Sequence, residues 1–368
     1  MKICLDIRVS TKGGTSTFIE NFVRELERVP GPHRIEYVFQ PQSISLNGKS
    51  VIAATVPTTN RLLEFPWSQW RLPQIIRRGE FDVYHSLKHV GPLACPAHTI
   101  YRVPAVGQFL GNYPMRPLDY VYWAHVARRA YRRADLLIAV SDYVRRGLVE
   151  HLKIPAERVV TVYNGVDARY RRLADHEREN RQQGRIGISP YILCVGNLVP
   201  VKNFGTAIRA FALLHHEIGT DHQLVLAGSQ RDQHFTALAR LVEELHLSDV
   251  VHFVGYQTAD DLLHLYNRAD LLLHPSLHEG FSFTILEAMA CGTPIVATAT
   301  TSIPEAAGDA ALYAGAPTDV EGLADCTRRI ITDPQLSARL SQRAMARASQ
   351  FTWQRCVAES IALYNRFR

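Results

Sequence analysis

The chain has 368 residues, 46% of them hydrophobic and 21% charged, which excludes a disordered polymer and leaves room for two domains with separate cores. A formal net charge of +6 fits an anionic partner such as a nucleotide, a phospholipid surface or a polyanion. No apolar run reaches the length of a membrane span, and the first residues enter a strand directly, without a signal-peptide pattern. The six cysteines lie apart with no C-x-x-C pair, which argues against zinc and disulfide frameworks and sets a cytoplasmic location as the expectation.

In chain order, Lys2–Ile7 reads as an apolar first strand, followed by a loop holding Gly13 and Gly14 and an amphipathic helix with Phe18, Phe22, Val23 and Leu26 on one face. A glycine pair between a first strand and a first helix lets backbone approach a ligand, although turn geometry alone also asks for such pairs. Asn47-Gly48-Lys49-Ser50 is not a phosphate loop, because Ser43 stands where the first glycine is required and a strand-like Val51–Ala54 follows. The Trp67, Trp70, Leu72, Ile75 and Ile76 spacing predicts a core-packed helix. Phe81–Ser86 and His98–Pro104 read as strands, and His85 near the end of the first is a candidate site residue. The helix predicted over 117–133 mixes tyrosines and tryptophan with arginines. That suits a membrane surface or a nucleic acid, but a solvated arginine face on a core-packed helix is the simpler reading. Strands follow at Ala134–Ser141 and Val159–Val162, and the charged stretch Arg169–Arg185 reads as an interdomain linker.

The second half restarts the same grammar. Tyr191–Gly196 is a strand, Asn197–Asn203 a loop carrying Lys202, and Phe204–His215 a helix. Leu224–Gly228, Val250–Gly255 and Ala269–Ser276 are further buried strands. The pentapeptide Arg133-Ala134-Asp135-Leu136-Leu137 recurs as Arg268-Ala269-Asp270-Leu271-Leu272, an echo that two related halves would produce. The densest signal spans 278–294. Glu279 and Glu287 stand eight positions apart, Ser282 is a fitting N-cap for a helix to Cys291, Gly292 suits its left-handed end, and Ile295–Thr298 is a buried strand. A strand, a polar loop and a helix N-terminus form the usual anion site of open α/β sheets.

The stretch from Glu279 to Val296 resembles the E-x7-E signature of retaining glycosyltransferases of the GT4 type, roughly E-G-F-G-x-x-x-x-E-A-M-A-x-G-x-P-V-V, with Ser282 replacing the second glycine. Val159–Asp167 is similar to that family's strand and N-G-V-D turn, and Phe351–Tyr364 to its last helix. The resemblance implies an α/β protein of GT-B fold, two facing Rossmann-like domains with parallel sheets and a C-terminal helix crossing back. The implied domains are 1–170 for the acceptor, 171–350 for the donor, and a returning helix at 351–368. It also implies that Lys202 and the Gly196-Asn197 loop meet the donor phosphates, with Asn197 in place of the usual arginine. An amide brings no charge, so either another cation compensates, with Arg8 and Arg102 as candidates, or turnover is weaker. Glu287 would bind the ribose hydroxyls, Gly255 and Tyr256 the base, and Glu279, Gly280, Phe281 and Ser282 the sugar and phosphates, with Gly13 and Gly14 beside them. Tyr101 and Arg102 replace a histidine-containing pair of the family, a role His85 or His89 would take over. The catalytic set implied is thus Glu279, Lys202 and His85, with no metal and no cofactor. The implied activity moves a sugar from a nucleoside diphosphate to a glycan or lipid-linked acceptor in cell-surface polysaccharide assembly, with peripheral membrane association and no nucleic acid. A catalytically silent nucleotide-sugar-binding subunit is the alternative.

Overall fold

The computed structural model describes residues 1–8, 13–29, 31–39, 51–53, 61–111, 117–179, 187–188, 190–229 and 233–368. Asn47-Gly48-Lys49-Ser50 and the Ser10–Lys12 part of the first loop lie outside the described residues. The chain forms two compact units, Met1–Gly165 with Trp353–Arg368, and Val166–Thr352.

The first unit carries a parallel sheet of seven strands in the order β3-β2-β1-β4-β5-β6-β7. They are β1 (Lys2–Asp6), β2 (Arg34–Phe39), β3 (Val51–Ala53), β4 (Val83–Ser86), β5 (His98–Val103), β6 (Leu136–Ala139) and β7 (Val159–Thr161). Parallel strands are covered on both faces, so the central ones read as unbroken apolar runs; Ile3, Cys4, Leu5 and Leu137 are all fully buried. The β2 strand was not anticipated from the sequence. Its Arg34-Ile35-Glu36-Tyr37 alternation is polar on one side, where Glu36 accepts Lys2 and Arg34, each at 3.2 Å. The helix Gly14–Leu26 buries Phe18, Phe22, Val23 and Leu26 as its spacing predicts. The last helix, Trp353–Tyr364, belongs to this unit: the Trp353 ring lies 5.5 Å from that of Phe18, and the Tyr364 hydroxyl meets His85 Nδ1 at 2.8 Å. On the 117–133 helix three arginines reach main-chain carbonyls, Arg128 that of His151, Arg132 that of Leu152 and Arg133 that of Leu93. This part of its basic face ties the helix to its own unit.

The second unit is a six-stranded parallel sheet in the order β10-β9-β8-β11-β12-β13, built from β8 (Tyr191–Val195), β9 (Gln223–Ala227), β10 (Val251–Gly255), β11 (Leu271–His274), β12 (Ile295–Thr298) and β13 (Ala311–Ala314). Renumbered within the unit this is 3-2-1-4-5-6, the doubly wound order whose ligands sit beyond the carboxyl ends of the strands. Ile192, Phe204, Ile208, Phe211, Leu226, Leu273 and Val296 lie in its core. The short β13 strand, half alanine, escaped the sequence reading.

Two expectations are corrected. The stretch read as a linker from Arg169 begins inside the second unit: Tyr170 and Leu173 are buried, and the Leu173 N–H donates to Asn267 Oδ1 at 2.8 Å. Two apolar anchors were hidden among the arginines. The pentapeptide echo is real as a turn, since Ala134 and Ala269 both leave a helix with ψ 138°. It does not fall on equivalent strands, because β11 adjoins the first strand of its sheet and β6 does not. It records a shared helix-to-strand exit rather than aligned halves.

Candidate active site

Three glycines end three neighbouring strands of the second unit. Gly196 N–H donates to Ala227 O at 2.9 Å, and Gly228 N–H to Gly255 O at 2.8 Å. A side chain on Gly228 would put its Cβ 1.8 Å from Gly196 O, and Gly255 has φ +73°, so neither position accepts another residue without a shift or strain. This close stacking brings the loop after β8 over the sheet edge. There Pro200–Lys202 makes one tight turn and Asn203 takes a left-handed conformation, φ 56°. The Asn203 amide donates to Pro275 O at 3.1 Å and Pro317 O at 2.7 Å, while Leu277 N–H donates to Val201 O at 2.9 Å. These bonds fasten the loop after β8 to the loop after β11.

The result is that Lys202 Nζ meets Glu279 Oε1 at 2.6 Å. His274, the last residue of β11 and 2% exposed, brings Nε2 to the same oxygen at 3.2 Å and to Ser282 Oγ at 3.4 Å. Main-chain bonds hold Glu279 as well: its N–H donates to Thr301 Oγ1 and its carbonyl accepts from Ser302 Oγ, both at 3.0 Å. Ser282 caps the helix Phe283–Ala290 by accepting from Ile285 N–H, and Gly292 beyond it has φ +72°. Burial would raise the Glu279 carboxyl, but the Lys202 charge and the His274 hydrogen bond outweigh it and hold it well below the usual carboxylate range. Burial lowers the His274 imidazole, with Glu279 opposing, and an Nε2–H is what lets the ring donate to the Glu279 carboxylate.

Glu287 has a different setting. Its Oε2 accepts from the Tyr266 hydroxyl at 2.9 Å, and the Tyr170 ring packs edge-on to Tyr266 at 5.9 Å. Burial pushes its carboxyl up to about 7, against the phenolic hydrogen bonds of Tyr266 and Tyr170. Asp167 adds to the rise and Arg169, 3.2 Å from Asp167, opposes it.

Among the residues predicted from sequence, Lys202, Glu279 and Ser282 therefore converge, Glu287 lies on the helix that Ser282 opens, and Gly196 and Gly255 shape the strand ends. Gly280 sits in the connecting turn. The Phe281 side chain is buried 5.5 Å from the Phe351 ring, so only its main chain remains for a ligand. Asn197 and Tyr256 are exposed. Gly13 and Gly14 are exposed at the start of the first unit's helix.

His85 is 1% exposed, its Nδ1 meets the Tyr364 hydroxyl, and burial with the Arg102 charge pushes its imidazole down to about 3. In this structure it joins the sheet to the last helix. His89 has φ 113°, and burial pushes its ring down to about 4. Neither proposed compensating cation is free. Arg8 forks onto Asp6 at 2.8 and 2.5 Å, both buried, and Arg102 is buried over the Phe18 ring with Asn164 Oδ1 on its guanidinium. Sequence reasoning missed His274, Gly228, Tyr170 and Tyr266. Among the described residues no cluster of three or more metal-ligating side chains forms.

Known proteins bear directly on this geometry. Residues 175–347 match the family described as glycosyl transferases group 1, and residues 12–170 match Glycosyltransferase Family 4. The chain is 32% identical over 232 residues to the O-antigen chain mannosyltransferase B of Escherichia coli, covering 63% of this chain and 60% of that protein. It is 31% identical over 228 residues to the serotype-specific mannosyltransferase WbdA of Escherichia coli, covering 61% of this chain and 28% of WbdA. It thus spans less than two thirds of the length of either relative. The structure superposes on WaaG, a glycosyltransferase involved in lipopolysaccharide biosynthesis, with TM-score 0.78 at 18% identity over 98% of this chain and 99% of that one. The fold is GT-B. The chain belongs to the GT4-type glycosyltransferases, with Lys202 and the Glu279–Glu287 signature inside the group 1 match.

Proposed function

We propose that the chain is a retaining, metal-independent hexosyltransferase that moves a sugar from a nucleoside diphosphate to a glycan or glycolipid acceptor during cell-surface polysaccharide assembly. The observation that carries this reading is the convergence of Lys202, Glu279 and the Ser282 helix N-terminus beyond the carboxyl ends of β8 and β11. Breaking the bond between the sugar carbon and the phosphate leaves negative charge on the departing diphosphate. The Lys202 ammonium and the positive end of the helix that Ser282 opens suit that charge. In the retaining route the acceptor oxygen forms the new bond on the same face, and its proton passes to the leaving phosphate. Glu287 would accept from the ribose hydroxyls, and Glu279, kept ionised, from sugar hydroxyls. The donor belongs to the second unit and the acceptor to the first.

The names of the relatives make mannose the first sugar to test. Exposed Trp70 and Tyr120, on helices that also carry Arg71, Arg77, Arg78 and Arg129, support a peripheral site on the inner face of a membrane. No described helix is long and apolar enough to cross one.

The test is a thermal-shift screen of UDP-, GDP- and ADP-sugars against the wild type and Glu287→Ala, followed by turnover of every hit in the presence of a chelator. A donor that stabilises the wild type more than the variant, and whose sugar is transferred with its anomeric configuration kept, is the expected outcome. Stabilisation without transfer across an adequate acceptor panel would favour the second reading, a silent nucleotide-sugar-binding subunit. That reading draws on exposed, uncharged Asn197 and on the locked Arg8 and Arg102. No donor response would end the donor-site reading.

A further inference from the structure

Lys202 and His274 bind the same oxygen of Glu279, yet they differ in how firmly they are held. Lys202 stands on a four-carbon stem with 20% of its side chain exposed. His274 ends β11, whose Leu272–His274 pair in register with Ile295–Ala297 of β12, and its ring is 2% exposed. A cation that engages a diphosphate must leave, at least in part, the carboxylate it pairs with beforehand. A buried carboxylate deprived of its cation is strongly disfavoured and turns towards any other donor or proton. Only the imidazole is placed to stay. We propose that His274 is a positioning residue that holds the Glu279 carboxylate, through Nε2–H, when Lys202 moves to the donor diphosphate.

The inference rests on the donor-site reading above for the movement of Lys202, but the clamp itself can be read without donor. The charged or titratable groups facing Glu279 are Lys202 from the turn after β8, His274 from β11 and His278 from its own loop. Lys202 also lowers the proton affinity of His274, so its departure makes the imidazole a better proton acceptor just when Glu279 needs positive charge.

Three proteins test this: His274→Leu, His274→Gln and Lys202→Met. With whichever of GDP-mannose, UDP-glucose or ADP-glucose the wild type turns over, His274→Leu should lower kcat by about tenfold or more while KM changes less than about threefold. Its acidic limb of kcat should move to higher pH, because Glu279 loses a donor. Glutamine can put its amide nitrogen where Nε2 stands, so His274→Gln should regain most of kcat. Wild-type kcat in His274→Leu overturns the proposal, as does a glutamine variant no better than leucine; if leucine does not fold, His274→Ala takes its place in the same comparison. In the donor-free arm, an NMR titration of the imidazole, assigned by its absence in His274→Gln, should show its pKa about one unit or more higher in Lys202→Met than in wild type. No rise overturns the clamp whatever the kinetics. A rise with no donor response from wild type supports the clamp and overturns the donor-site reading instead.

Discussion

Each unit of the molecule places a buried histidine on the strand beside its first strand, His85 on β4 and His274 on β11. The two are alike in burial and in lowered basicity. They differ in partner. His85 meets a phenol brought by the last helix, more than 250 residues away in the chain, at 2.8 Å. His274 meets a carboxylate five positions on, across the polar loop that follows its own strand. A strand-end histidine is therefore neither structural nor catalytic by position. Its role is set by what is delivered to the ring.

The comparison can be broken most severely through Lys202. Lys202→Met removes the ammonium that meets Glu279 Oε1 and leaves His274 on that oxygen; if Lys202 is the phosphate cation, turnover should fall about a hundredfold or more, near 3 kcal/mol of transition-state stabilisation. Steady-state kinetics with a competent donor checks it, and a loss under tenfold would mean that Lys202 is not the phosphate cation.

Glu287 sharpens the contrast between a carboxylate held by charge and one held by phenols. Its carboxyl is raised to about 7 in the folded chain, whereas in the unfolded chain it titrates near 4.3. Between those values the folded state binds the extra proton, so this group's stabilisation is complete below about pH 4 and is lost as pH rises through 7. Glu287→Gln should be more stable than the wild type at pH 8, by ~1–3 kcal/mol after allowing for partial exposure, with the advantage gone at pH 4. Chemical denaturation at both pH values measures it. Equal differences at the two would show that the carboxyl titrates normally. Ribose hydroxyls donating to the carboxylate would also release its proton on donor binding, which calorimetry in buffers of different ionisation heat would detect.

Tyr364→Phe isolates the other histidine. Loss of the hydrogen bond to His85 should cost ~1–2 kcal/mol of stability, read by denaturant unfolding, and leave kcat unchanged. A large fall in kcat at unaltered stability would return His85 to the reaction. The smallest effect is expected from Asn197→Arg, which adds a guanidinium on an exposed loop beside Lys202; donor affinity should improve by about two- to tenfold. No gain would show that the site does not lack a cation.

The readability of these features follows the range of the forces behind them. Ser282 as N-cap, Gly292 in the left-handed conformation and β12 at Ile295–Thr298 were read correctly, because each depends on its immediate neighbours. Lys202 and Glu279 could be paired only through resemblance, since 77 positions separate them and the link runs through Asn203 and Leu277. His274 was passed over and His85 singled out for one reason. Nothing local distinguishes an imidazole that will meet Tyr364 from one that will meet Glu279. The β2 strand was lost because its polar alternation departs from the continuous apolar pattern of its neighbours, and Tyr170 because arginines surround it.

The first unit is discontinuous, its sheet from residues 1–165 and its closing helix from residues 353–368. During synthesis at roughly 5–20 residues per second, the whole intervening unit emerges first, a delay on the order of ten to tens of seconds. For that time the face destined for Trp353 and the His85 nitrogen destined for Tyr364 lack their partners, and Val166–Thr352 is complete in the emerging chain before the closing helix is made. The nascent first sheet is thus the stage at which a chaperone would have most to protect.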